Sequence, residues 1–309
     1  MISKARKAAR RILGITEERS VDSRYAGFDA AVQILASHPH PDLAAVEDPV
    51  SYIGFVAGCL QRSRYSLQVV KGGAEKSTTP GRRLATLVSV LQSGVPSVEQ
   101  STAREIAVHL DRLRSNRAIK EFGRWAGDIG VHAFVSSSDA RKGRLLATVA
   151  RLMRPRSCLE LGTCYGVSAM FILSELERLG EGGRLVTMDF SEPQYGIASE
   201  ALSGRYGGSV TCQKLDIDKH LAEVAASIAP IDLVFHDANH TGENYIRDFE
   251  GMEPSLAAGA ILVLDDLRWS DESVADAVGS YQGWLKIVSH PRVRFAAEID
   301  SSIGLLQVS

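Results

Sequence analysis

No apolar run in this 309-residue chain approaches the length of a membrane span, so no membrane partner is expected. Charge of one sign is not in excess either: 35 Lys and Arg stand against 37 Asp and Glu, a formal net charge of −2. That balance gives no global electrostatic case for nucleic acid or an anionic membrane surface. Cysteines are few, and none of Cys59, Cys158, Cys164 and Cys212 has the paired spacing of a metal site. Two of them, Cys158 and Cys212, fall in expected buried strands, which reads as reduced thiols in a cytoplasm. The basic start, 1-MISKARKAARRILGI-15, lacks the apolar centre and small-residue cleavage site of a signal peptide and reads as a short surface helix. Repeats and low-complexity tracts are missing too. What remains is an ordinary globular composition, 45% hydrophobic and 23% charged, long enough for one large domain or two modest ones.

Residues 1–135 read as a mostly helical region, with helices expected over about 3–13, 25–37, 42–62, 81–93, 97–115 and 116–127. His38-Pro39-His40-Pro41 has two prolines that force extended backbone and no third ligand nearby, so it reads as a surface turn and not a metal site. The stretch 71-KGGAEKSTTPGRR-83 reads as mobile, either a solvated linker or a loop that orders over a ligand. The helical region is expected to act as a lid, to touch substrate or to offer a homo-oligomer interface, although no heptad pattern marks one.

From about residue 136 helices and strands alternate. The stretch 157-SCLELGTCYGVSAMFILSELERL-179 is the organising unit: a short apolar strand, a turn with Gly162 and Gly166, then an amphipathic helix. Gly162 permits a sharp turn, Gly166 permits close approach of backbone to a ligand, and Ser168 sits at a helix start suited to an anionic group. Glu160 lies inside the strand's end, two residues before the turn. Cys164 occupies the middle position of the dinucleotide fingerprint, so that fingerprint fails. Further strands are expected at 184–190, 209–216, 231–237 and 260–267, with helices between them over 193–206, 218–228 and 241–257 and another over 271–282. The tail, 292–300 and 303–309, permits an antiparallel pair but no helical crossover.

Ligands of a parallel α/β sheet bind at the strands' carboxyl ends. Those ends carry Glu160 and Gly162, then Asp189, Asp216, Asp237, and Asp265 with Asp266. Asp189 is placed to accept both ribose hydroxyls, and Asp216 either accepts from an adenine amino group or caps the next helix. Asp237, Asp265 and Asp266 come from neighbouring strands and are expected to converge. Three close carboxylates call for a cation, and an all-oxygen set suits Mg²⁺ or another divalent ion. The bland alternative is that Asp266 caps a helix or faces Arg268.

The stretches 139-DARKGRLLATVARLMRPRSCLELGTCYGVSA-169, 235-FHDANH-240 and 264-LDDLRW-269 resemble the metal-dependent O-methyltransferases of the catechol and caffeoyl-CoA type. They are closer still to bacterial natural-product and sugar O-methyltransferases. The likeness spans roughly 136–309 and includes the Lys142-Gly143 pair and the 28-residue step from Asp237 to Asp265. It implies a Rossmann-like class I methyltransferase sheet, α/β and mostly parallel with a terminal antiparallel strand, over 136–309, preceded by the helical region over 1–135. It also implies S-adenosylmethionine as cofactor, held by Glu160, Gly162, Gly166, Ser168, Asp189 and Asp216. Asp237, Asp265 and Asp266 would then hold the divalent metal, and a small-molecule hydroxyl (phenolic, sugar or another natural-product acceptor) would be methylated. His240, where catechol-type enzymes have lysine, would be the general base beside the catalytic Asp237. His236 also stands next to Asp237, but strand alternation turns it to the opposite face. A metal-independent methyltransferase, a non-catalytic S-adenosylmethionine-binding module and, more remotely, a nicotinamide oxidoreductase are the competing readings.

Overall fold

The computed structural model describes residues 46–122, 125–270 and 277–309. The helices expected over 3–13 and 25–37, the His38–Pro41 turn and half of the expected helix 271–282 fall outside the described residues. The first elements are α1 (Pro49–Leu60), β1 (Leu67–Gly72), α2 (Thr79–Ser93), α3 (Gln100–Arg114), β2 (Ile119–Phe122), β3 (Trp125–Asp128) and α4 (Ile129–Ser136). There follow α5 (Ala140–Met153), β4 (Ser157–Leu161), α6 (Val167–Leu179), β5 (Arg184–Asp189), α7 (Gln194–Tyr206), β6 (Val210–Lys214) and α8 (Ile217–Ser227). The chain ends with β7 (Ile231–His236), α9 (Gly242–Met252), β8 (Leu256–Leu264), α10 (Ser280–Ser289), β9 (Val293–Ile299) and β10 (Ile303–Val308). No helix among the described residues is long and apolar enough to cross a membrane. All four cysteines are free thiols, with Cys158 buried as expected and Cys212 only half-buried.

These elements fall into two compact units. One takes the described residues up to Ser63 together with Pro96–Leu145; the other takes Arg64–Val95 with Leu146–Ser309. In the first, Asp48 caps α1 by accepting from the Ser51 N–H at 3.1 Å, with Pro49 at the first helical position. The buried Asp111 of α3 accepts from Glu47 and Asp48 N–H groups at 3.0 and 2.9 Å, which fixes where α1 begins. The helix expected over 116–127 is instead the hairpin β2–β3, with Ile119 opposite Asp128 and Phe122 opposite Trp125. Two local effects override helical spacing there. Asn116 turns the chain by accepting from the Ala118 N–H at 3.0 Å, and the β-branched and aromatic residues that follow suit a pleated surface.

The second unit is built on an eight-stranded sheet of order β1-β9-β10-β8-β7-β4-β5-β6. The five strands β8, β7, β4, β5 and β6 are parallel neighbours, and β10 joins β8 antiparallel, as the tail of the sequence suggests. The inner parallel strands are apolar, as a sheet covered on both faces requires: Leu159, Leu161, Met188, Val234, Leu262 and Leu264 are buried in one cluster with Phe249 and Trp284, while the edge strand β6 is half-buried to exposed. The chain lays down β4, β5 and β6 in one direction and then returns to place β7 on the other side of β4. That reversal sets the carboxyl ends of β4 and β7 side by side, with Leu161 opposite His236, at the kind of switch point where open α/β sheets take their ligands.

The sheet unit starts earlier than the expected boundary at 136. Strand β1 adds to the edge beside β9, and it escapes sequence reading because an exposed edge strand shows no alternation. The stretch 71–83 runs from the end of that strand through a mostly exposed loop over 73–78 into the start of α2. Lys71 Nζ donates to the Val288 and His290 carbonyls at 2.7 and 3.1 Å, and Thr78 caps α2 by accepting from Gly81 N–H at 3.1 Å.

Candidate active site

The turn after β4 is held from three sides. Gly162 N–H donates to Met188 O at 2.9 Å, and Asp237 N–H donates to Leu161 O at 2.9 Å. Gly162 has φ +94°, and a Cβ there would lie 2.3 Å from the Asp237 carbonyl oxygen. Glycine is therefore required where the ends of β4 and β7 close on each other. Gly166, at φ +82°, starts α6, whose amino end carries no side-chain cap. Those first N–H groups face outward at the strand ends, where an anionic group can accept them.

Beneath the turn, Glu160 is fully buried, with Thr187 Oγ1 donating to its carboxyl at 2.5 Å and Thr163 Oγ1 2.6 Å from Thr187 Oγ1. Burial pushes its carboxyl up to about 7, against the opposing effect of hydrogen bonds from Ser168 and Thr187. Glu160 and the buried Ser168 thus brace the turn from below. Glu160, expected among the cofactor residues, lies under the turn with its carboxyl out of water.

Asp189, at the end of β5, accepts from Cys164 N–H and Ser191 N–H, each at 2.8 Å, and remains partly exposed. Its carboxylate ties the glycine turn to the end of β5 and keeps further lone pairs for a ligand. Phe190, the next residue, is 61% exposed, a flat apolar face at the same edge. Sequence reading passed over it, although an aromatic directly after the strand-end acid was the available signal. Burial, together with Asp189 and Asp237, pushes the Cys164 thiol above its ordinary value, so it stays protonated and inert. Asp216 takes its structural alternative. Its carboxylate accepts from Asp218 N–H at 3.1 Å as the cap of α8 and pairs with Lys219 at 2.8 Å.

His240 lies in the loop between β7 and α9, directly before the cap residue Thr241, which accepts from Asn244 N–H at 3.2 Å. Its Nε2 is 3.8 Å from Asp237 Oδ1 and 3.8 Å from Asp266 Oδ2, with side-chain exposures of 15%, 19% and 45% for the three residues. The carboxyl end of β8 reaches this point because Asp266 adopts φ +54°, which turns the chain sharply, and Trp269 N–H closes the turn on Asp266 O at 2.8 Å. The Trp269 ring stands 6.1 Å from that of His240. Arg268 points away from Asp266 and pairs with Glu298 at 2.6 Å, so the carboxylate of Asp266 is not neutralised by its neighbour. His236 is buried on the other face, with Nε2 2.8 Å from Asp248 Oδ2, as strand alternation requires.

Two of the three expected metal ligands, Asp237 and Asp266, meet around His240, while Asp265 is buried at 1% exposure. Among the described residues no group of three or more His, Cys, Asp or Glu side chains could hold a metal ion. Asp265 follows directly on the end of β8, and Asp266 turns the chain at φ +54°. The donor set as it stands does not fit a preformed divalent site.

The family described as "Methyltransferase domain" matches residues 159–267, the span from β4 to the turn beyond Asp266. A protein of Mycolicibacterium smegmatis, named as a candidate O-methyltransferase, is 32% identical over 166 residues, covering 53% of this chain and 74% of its own. A second such relative, from Mycolicibacterium vanbaalenii, is 32% identical over 174 residues, covering 55% of this chain and 73% of its own. Among solved structures, cofactor-bound Rv0187 from MTB superposes with a TM-score of 0.50 at 20% identity, over 75% of this chain and 97% of that one. The SAH-bound methyltransferase PaMTH1 of Podospora anserina gives a TM-score of 0.50 at 17% identity, over 66% and 88% of the two chains. These two likenesses bear on the fold alone, and the sheet they share with this chain is the one described above. The chain belongs to the O-methyltransferase family of these mycobacterial relatives.

Proposed function

We propose that this chain methylates a hydroxyl of a small molecule, a phenol, a sugar or another natural-product acceptor, with His240 removing the hydroxyl proton. One observation carries the reading: an imidazole nitrogen at the carboxyl edge of the sheet, bracketed by two carboxylates at 3.8 Å. When bound, S-adenosylmethionine supplies a sulfonium methyl that a nucleophilic oxygen can take. In this reading Gly162, Gly166 and the amino end of α6 hold its methionine part, Asp189 accepts from its ribose, and Phe190 covers its base. An alcohol becomes a competent nucleophile only as its proton leaves, and a neutral imidazole is suited to accept it near pH 7. Asp237 and Asp266 then stabilise the imidazolium that forms. Trp269 offers the acceptor a flat face next to that nitrogen.

No step here is routed through a metal. Divalent-metal assistance, which the resemblance implies, and metal-free catalysis are separated by assaying S-adenosylhomocysteine release against phenolic and sugar acceptors in EDTA and after Mg²⁺ is restored. Activity that survives chelation leaves His240 and its acids as the proton machinery; activity lost and then restored adds a cation to the site. Failure of every hydroxyl acceptor, with transfer to amines or carbon acids instead, would overturn the reading. Residues ahead of the sheet unit are assigned to lid, acceptor or homo-oligomer contacts, which sedimentation of the full chain tests for the last.

A further inference from the structure

We infer that Glu298 is a positioning residue: it draws the Arg268 guanidinium off the carboxyl edge of the sheet and so leaves the Asp266 carboxylate free beside His240. The use made of that carboxylate rests on the reading of His240 as the base; the placement of the guanidinium does not. Asp266 and Arg268 share one tight turn and flank Leu267, which is fully buried. Their side chains are 45% and 44% exposed, so both stand on the open side of that leucine. An acid and a base two residues apart on one turn attract each other, and nothing in the local sequence keeps them separate.

Three contacts hold the guanidinium elsewhere. Arg268 Nη2 donates to Glu298 Oε2 at 2.6 Å, Nη1 donates to the Ser301 carbonyl, and the guanidinium carbon lies 4.3 Å from the centre of the Tyr281 ring. Tyr281 also donates its hydroxyl to Glu298 Oε1 at 2.5 Å, so both carboxylate oxygens are occupied. The Ser301 carbonyl is presented by the turn between β9 and β10, where Asp300 and Ser301 take φ +50° and +60°. Leu267 N–H donates to Ser302 O in that same turn at 2.7 Å. Burial decides which acid wins. Glu298 is 2% exposed, and a carboxylate out of water loses heavily when its partner leaves. A pair between Arg268 and Asp266 would lie in solvent, where screening leaves it little to gain. Among the described residues, His240 is therefore the one basic side chain within 4.0 Å of the Asp266 carboxylate, at 3.8 Å.

The test is ¹⁹F NMR of the full chain labelled with 5-fluorotryptophan. Its three tryptophans give three resonances, and Trp269→Phe assigns the one on the Asp266 turn. Glu298→Gln keeps the shape of the side chain and removes its charge, which releases Arg268 to Asp266. The Trp269 resonance is expected to shift in this variant and to return toward its wild-type position in Glu298→Gln/Arg268→Gln. Made on an Asp266→Asn background, Glu298→Gln is expected to move it little. Turnover of a hydroxyl acceptor is expected to fall about tenfold in Glu298→Gln and to recover in the double variant, with S-adenosylhomocysteine affinity unchanged. A resonance unmoved by Glu298→Gln, or one that moves as far without Arg268, overturns the inference, because the glutamate would then only brace the fold. Should Glu298→Gln fail to fold, Glu298→Asp withdraws the carboxylate by one carbon. A smaller shift, cancelled by Arg268→Gln, is expected there, and no shift overturns the inference. The base assignment fails separately: full methyl transfer by His240→Gln would remove it, while the Trp269 resonance still decides where the guanidinium goes.

Discussion

His236 Nε2 lies 2.8 Å from Asp248 Oδ2 with both side chains out of water, whereas His240, four residues on, sits 3.8 Å from its two nearest carboxylates at a partly open edge. The same residue type is thus held tightly on one face of the sheet and loosely on the other. A buried hydrogen-bonded pair of this kind joins β7 to α9. Asp248→Ala leaves a buried imidazole without its partner and also removes one of the two acids that Arg247 pairs with. It is expected to cost about 3 kcal/mol of stability in urea unfolding. A loss below a few tenths of that would mean that the pair only fills space.

His240→Ala is expected to lower turnover about a hundredfold to ten-thousandfold, with little change in unfolding free energy, because the imidazole is partly exposed. A base must be neutral to accept a proton, so the wild-type rate rises with pH to a plateau. The variant, left to hydroxide, recovers part of the deficit at high pH. A pH–rate profile of the same shape in both proteins would rule out proton transfer as the role of His240.

Glu160 makes a pH prediction. Its carboxyl is raised from the ordinary 4.5 to about 7 by burial. Below about 4.5 it is protonated in both folded and unfolded chains; between 4.5 and about 7 the unfolded chain sheds the proton first. Its contribution to stability is therefore present in acid and lost as pH rises through that window, by an amount of roughly 3 kcal/mol at about 1.4 kcal/mol per pH unit. Glu160→Gln is expected to flatten this part of the stability-against-pH curve. Identical slopes in the two proteins would place the titration elsewhere.

The two acids read as nucleoside contacts should separate. Asp216→Ala is expected to lower the melting point slightly as a lost helix cap and to leave S-adenosylhomocysteine affinity unchanged by calorimetry. Asp189→Ala should weaken that affinity tenfold or more, on the order of 1.4 kcal/mol, since it frees the Cys164 and Ser191 N–H groups as well as removing the ligand's acceptor. Equal losses in both variants would restore Asp216 to the pocket.

Backbone geometry at the turn is testable with two glycines. A Cβ on Gly180, at φ +65°, meets nothing within 4 Å, so Gly180→Ala is expected to cost only about 1–2 kcal/mol of left-handed strain. Gly162→Ala adds a contact of 2.3 Å with the Asp237 carbonyl and must part β4 from β7. Its expected cost is at least about 3 kcal/mol by urea unfolding, with weakened S-adenosylhomocysteine binding. Equal melting points for the two variants would show that the loop yields freely.

Much of the sheet was legible because burial on two faces leaves its mark on local sequence. The runs ending at Leu161, Asp189, His236 and Leu264 are short and apolar, and the glycine turn sits between a strand and a helix of unmistakable period. The placement of His240 and Asp237 at one strand end follows from chain order alone, as does the turning of His236 to the other face. Strand β1 and the hairpin β2–β3 were not legible, since an exposed edge shows no alternation and a hairpin's partner must be present before its residues prefer a pleat.

By itself the sequence determined which side chains stand at the carboxyl edge, because a strand's end is set by local pattern and alternation sends neighbours to opposite faces. Only the tertiary structure decided what each of them meets there. It sent Glu160 under the turn, tied Asp216 to Lys219, and brought Tyr245, Asp237 and Asp266 to His240. Those outcomes depend on distances between side chains far apart along the chain or turned by a single φ angle. No spacing rule contains them.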